Sequence, residues 1–113
     1  KEMEFDQAPF GILGLETSVA LALDRLFHGK RVDLSRLVSL YTTGPARVLN
    51  LPRGTLAIGS VADITVLDLN RTVEVSVSAF RSKCRNAPYQ GWKLKGAPIL
   101  TLVGGRIVFD GRT

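Results

Sequence analysis

The chain has 113 residues, 45% of them hydrophobic and 22% charged, which places it in the ordinary soluble globular range at about one domain. Its formal charge of +5 is uneven: residues up to Asn70 carry a net −1 and those from Arg71 onward a net +6. The basic half lacks a groove-binding helix, an RNP-type aromatic motif and a zinc module, so nucleic acid is not the expected partner; Arg81, Lys83, Arg85, Lys93 and Lys95 read as a solvated or partner-facing surface.

A single cysteine, Cys84, excludes an intrachain disulfide and fits a reducing compartment. No apolar run approaches the roughly 20 residues that span a bilayer, and no signal-peptide pattern opens the chain, so a cytoplasmic protein without membrane contact is expected. With one histidine, His28, and one cysteine, no His/Cys metal cluster can be assembled from these residues.

Residues 1–7 are polar and acidic and read as a start in mid-loop, as expected of a piece of something longer. The stretch Ala8-Pro9-Phe10-Gly11-Ile12-Leu13-Gly14 then combines a proline and two glycines with apolar groups too large for an ordinary solvated loop. Such a loop either packs on the body of the protein or lines a pocket.

From Leu15 the apolar residues Leu15, Val19, Leu23, Leu26 and Phe27 mark one face of a helix over about 15–28. His28 is expected to meet that helix's own free carbonyls, and Gly29 to take the left-handed cap conformation. Asp33 has the chemistry of an N-cap, with Val32 and Leu37 at the staple positions of a second helix over 33–42 that buries Leu34, Leu37, Val38 and Tyr41. Pro45 interrupts it, and a short third helix follows over 45–50, capped by Thr43 or Gly44 and ended by Asn50.

After Pro52 the period becomes strand-like. Residues 63–67 read as a buried strand flanked by Asp63 and Asp68, which are turn and edge residues rather than a catalytic pair, being roughly 16 Å apart along an extended chain. Residues 72–77 alternate as a second, half-buried strand. A basic spacer over 80–96 has little periodicity and should be tied down by Phe80, Tyr89 and Trp92. Gly104-Gly105 between two apolar runs predicts a hairpin over 99–109.

Three stretches together resemble the bacterial-type dihydroorotases of the amidohydrolase superfamily: FDQAPFGILGLE (residues 5–16), FRSKCRNAPYQGWKLKG (residues 80–96), and GSVADITVLD paired with LVGGRIVFDG. The resemblance covers essentially the whole chain but matches only the C-terminal portion of such an enzyme. It implies an α/β fold: the last loop and helices of a (β/α)₈ metal-dependent hydrolase barrel in residues 1–50, with the substrate loop at 5–14, followed by part of a small β-sandwich in residues 51–113.

The reaction implied is the reversible cyclisation of N-carbamoyl-L-aspartate to dihydroorotate in pyrimidine biosynthesis. The backbone of Phe10 and Gly11, and less securely Ala8 and Pro9, would contact the substrate ring. One or two zinc ions would be held by ligands upstream of Lys1, and neither a catalytic residue nor a metal ligand is assigned within the chain. Implied partners are the missing N-terminal part, a second copy, or an aspartate transcarbamoylase complex. The alternatives are a metal-free scaffold for that transcarbamoylase and an allantoinase or other cyclic amidohydrolase.

Overall fold

A computed structural model describes residues 4, 6–8 and 10–112. The fold is mixed α/β, with a short helical layer on a small antiparallel sheet. The helical layer comprises α1 (Ser18–Ala22), which continues as a π-helical turn over Leu23–His28, then α2 (Leu34–Tyr41) and α3 (Thr43–Val48). The sheet is β1 (Ile64–Glu74), β2 (Lys93–Val103) and β3 (Arg106–Asp110), in the order β1-β2-β3, with both pairs antiparallel.

Two helix ends follow local chemistry, whereas α3 starts at Thr43 with no side-chain cap from Thr43 or Gly44. The Asp33 carboxylate accepts the Arg36 N–H at 2.7 Å and caps α2, while Val32 packs against the buried cluster of Ala22, Leu23 and Leu37. At the end of α3, Asn50 takes a left-handed φ of 51°, the Leu51 N–H reaches the Ala46 carbonyl at 2.8 Å and the Asn50 N–H the Arg47 carbonyl at 3.2 Å. These are the two bonds of a Schellman cap, with asparagine in the place glycine usually holds.

Other expectations are corrected. Gly29 has φ −69°, and Lys30 takes the left-handed conformation at φ 53° instead. A side chain at 29 would collide with the Arg25 carbonyl, so glycine is required there by space rather than by φ. His28 leaves its own helix and donates Nε2–H to the Leu69 carbonyl on β1 at 2.8 Å, because the wide π turn ends against the sheet. The strands expected over 63–67 and 72–77 are one strand, β1. The Asp68 carboxylate accepts the Asn70 and Arg71 N–H groups and holds a bulge, so pairing resumes at Thr72 opposite Lys95. The basic spacer is shorter than 80–96, since β2 takes in Lys93 onward. As expected, the aromatic groups tie the segment down: Phe80 and Tyr89 pack on Ala20, Val75 and Leu94, and Trp92 meets the Tyr89 ring edge-on at 5.2 Å while the Arg25 guanidinium lies 5.0 Å from the Trp92 ring centroid.

Two small cores sit between helix and sheet: Ala20, Val75 and Leu94 on one side, and Ala22, Leu23 and Leu37 on the other. Asp24 ties the two layers by accepting the Lys95 N–H at 2.9 Å. Val38 and Tyr41, expected inside, are 42% and 47% exposed. They line an apolar groove of about 670 Å³ with Leu49, Leu51 and Leu56. The surface of 8593 Å² exceeds the roughly 6,100 Å² of a self-contained monomer of this mass. The radius of gyration, 16.0 Å, likewise exceeds the roughly 13 Å of a compact chain of this length. The helices and the edge strand β3 therefore present apolar faces that these residues alone do not cover.

Candidate functional site

The loop over 10–16 is held by hydrogen bonds rather than by packing. Phe10, Ile12 and Leu15 are 99%, 50% and 91% exposed, which leaves no apolar anchor among its large side chains except the half-buried Leu13. Of the residues expected to meet substrate, Phe10 projects into solvent, Gly11 has φ 64° with open space where a side chain would stand, and Ala8 is half-buried in the preceding turn. Pro9 lies outside the described residues. An exposed aromatic on a backbone free of Cβ obstruction suits close approach by a flat ligand.

Four long-range bonds bring this loop to the start of the basic segment. The Asn86 side chain donates Nδ2–H to the Gly11 carbonyl at 2.7 Å, and the Asn86 carbonyl accepts the Leu13 N–H at 2.8 Å. The Glu16 carboxylate accepts the consecutive N–H groups of Arg81 and Ser82, at 3.0 and 3.1 Å, one on each oxygen. Residues 80–86 are in turn braced by Arg85, whose guanidinium donates to the Phe80 and Ser82 carbonyls. Sequence reasoning did not single out Glu16 and Asn86. The signal was there, since each lies in one of the two stretches that carry the family resemblance, but nothing local says that those stretches touch.

Asp63 and Asp68 are not brought together as a site. The Asp63 carboxylate accepts the Gly104 N–H and pairs with Arg53, which fixes the β2–β3 turn against the start of β1, and Asp68 holds the bulge. Among the described residues no three His, Cys, Asp or Glu side chains converge, so these residues do not fit a metal ion. What the loop can offer chemically is backbone: peptide N–H and C=O groups whose pose is fixed by the bonds from Asn86 to the Gly11 carbonyl and the Leu13 N–H.

Residues 9–109 match the Amidohydrolase family. The chain belongs to that family. Proteins named dihydroorotase are similar to this amidohydrolase chain over 97% of its length: that of Geobacter sp. (strain M21) is 45% identical over 110 residues and that of Syntrophus aciditrophicus (strain SB) 50% over 110 residues. In both cases the match covers 26% of the relative, so the chain spans about a quarter of the length of the curated relatives it matches. Among solved structures, the L-hydantoinase (dihydropyrimidinase) of Arthrobacter aurescens superposes with a TM-score of 0.84 at 40% identity, over 89% of this chain and 23% of that one. The resemblance of most of the amidohydrolase chain to part of a longer protein is thus found in both sequence and fold. Among the described residues no helix is long and apolar enough to cross a membrane.

Proposed function

We propose that this chain supplies the substrate loop and adjoining sheet of a dihydroorotase, which reversibly closes N-carbamoyl-L-aspartate to dihydroorotate. The observation that carries the reading is the tethered loop itself. Gly11 presents an unobstructed backbone, its carbonyl is held by Asn86, and the chain that carries it is 41–50% identical over 110 residues to proteins named dihydroorotase. The Phe10 and Gly11 backbone would bind and orient the ring, and the exposed Phe10 side chain would shield one face of it from water. Zinc, which the resemblance implies, finds no ligand set among the described residues; its ligands, and the groups that move protons, would belong to the rest of the whole protein, a (β/α)₈ barrel. Residues 1–50 would be the end of that barrel and residues 51–113 part of a β-sandwich, in a cytoplasmic protein.

The match to an L-hydantoinase at 40% identity supports a second reading, hydrolysis of a different cyclic amide. Protein from the complete reading frame, assayed on dihydroorotate, hydantoin and allantoin with metal content measured on the same sample, separates the two. Turnover of dihydroorotate by metal-containing protein is expected. Preference for hydantoin or allantoin would replace the first reading with the second, and a folded, metal-free, inactive protein would favour a scaffold for aspartate transcarbamoylase.

A further inference from the structure

We propose that residues 80–86 form a positioning strap for the loop over 10–13, with Asn86 and Glu16 as the positioning residues that set the pose in which the loop receives its ligand. The substrate side of this proposal rests on the function proposed above; the mechanical side rests on the geometry alone. The loop has little hold of its own, because Phe10 and Leu15 are almost wholly in solvent, Ile12 is half exposed and Leu13 alone among its large side chains is half-buried. What holds it comes from 65 to 75 residues away.

Asn86 grips two points two residues apart, the Gly11 carbonyl and the Leu13 N–H, as a partner strand would. The carbonyl of Gly11 can only accept, so the Asn86 amide must face it through its NH₂ group. In a trans peptide the carbonyl and the N–H point in opposite directions, so holding the Gly11 carbonyl also fixes the direction of the Ile12 N–H. Glu16 secures the other end. Its carboxylate binds two successive N–H groups, a charge-assisted and bidentate contact that fixes the strap in both distance and rotation. The strap therefore acts on ligand binding through the loop, without touching the ligand.

The test uses protein from the complete reading frame. Asn86→Asp keeps size and backbone but turns an acceptor toward the Gly11 carbonyl, and Glu16→Gln keeps one accepting oxygen and loses the charge. For Asn86→Asp, the KM for dihydroorotate is expected to rise about tenfold while kcat changes by less than about threefold, with metal content and melting temperature unchanged. Hydrogen exchange at the Leu13 amide is expected to accelerate about fivefold or more. Glu16→Gln should move both quantities the same way by less, and it carries the test if Asn86→Asp fails to fold. A KM within about twofold of the parent's, or a fall in kcat and melting temperature together at constant KM, would overturn the strap as a positioning device. If the parent does not turn over dihydroorotate, the proposed function fails by itself; the exchange rate then decides, and unchanged exchange at Leu13 in Asn86→Asp overturns the strap as well.

Discussion

Gly96 is the position where one added methyl group should cost most. It lies buried in β2, at φ 98°, opposite the bulge that Asp68 holds in β1. A Cβ built there would stand 2.8 Å from Leu23 Cβ, 2.9 Å from its Cδ1 and 3.3 Å from its Cγ. Leu23 has no exposed surface, and its Cβ is fixed to the helix backbone, so rotation of the side chain relieves only part of the overlap. Two costs combine in Gly96→Ala. The left-handed φ contributes about 1–3 kcal/mol and overpacking about another 1–3, or roughly 2–6 kcal/mol together, a large share of the ~5–15 kcal/mol that holds a typical domain. Gly91 provides the control: its φ is 76° but nothing lies within 4 Å of a built Cβ, so Gly91→Ala carries the backbone cost alone, about 1–3 kcal/mol. Urea unfolding of both variants in the complete protein, compared at constant m-value, measures the difference. Gly96→Ala should be less stable than Gly91→Ala by at least about 1 kcal/mol. Equal stability of the two would refute the claim that helix and sheet meet in contact at this glycine.

Three further outcomes follow from the same structure. Asp33→Ala should lower stability by about 1 kcal/mol while Asp33→Ser stays within a few tenths, read by the same unfolding assay, because only the accepting oxygen at the head of α2 matters. The Asp110 carboxyl should titrate at about 2, below its ordinary 3.8, because the Arg112 side chain donates hydrogen bonds to it. This contact contributes above pH 3.8 and is lost as the pH falls toward 2, and in Arg112→Ala the midpoint observed by NMR should return toward 3.8. Since both groups are solvent-exposed, the melting temperature should barely respond to that substitution. The isolated 113 residues should self-associate and bind a hydrophobic dye through the groove lined by Val38, Tyr41, Leu49 and Leu51; a dye-silent monomer with a sharp melt would contradict this.

The chain's local grammar was largely readable. Asp33 as a cap, Asn50 as a terminator and Gly104-Gly105 as a turn act on backbone groups within four residues of themselves, so residue type and spacing carry the information. Val38 and Tyr41 show where such reading stops. Their helical spacing marks an apolar face correctly, but whether that face is covered depends on surface that helical periodicity does not describe. The loop was legible as one of unusual composition, and Phe10 and Gly11 were named in it from the family resemblance; Asn86 and Glu16 were not, because irregular segments have no period to betray their partners.

By itself, the sequence determined the cap of α2, the end of α3, the hairpin turn and the family, and marked the two stretches that carry the resemblance. Only the tertiary structure decided that two predicted strands fuse around Asp68, that His28 turns to Leu69 on the sheet, that Gly96 must admit Leu23, and that Glu16 and Asn86 join those stretches. The physical reason is common to all four. Each depends on residues far apart in the chain: the bulge at Asp68, whose own bonds reach only Asn70 and Arg71, is absorbed by pairing with β2, and the other three are contacts made by one or two side chains or a missing one. The energy of each depends on where the other segment arrives, and that is set by the packing of helix on sheet.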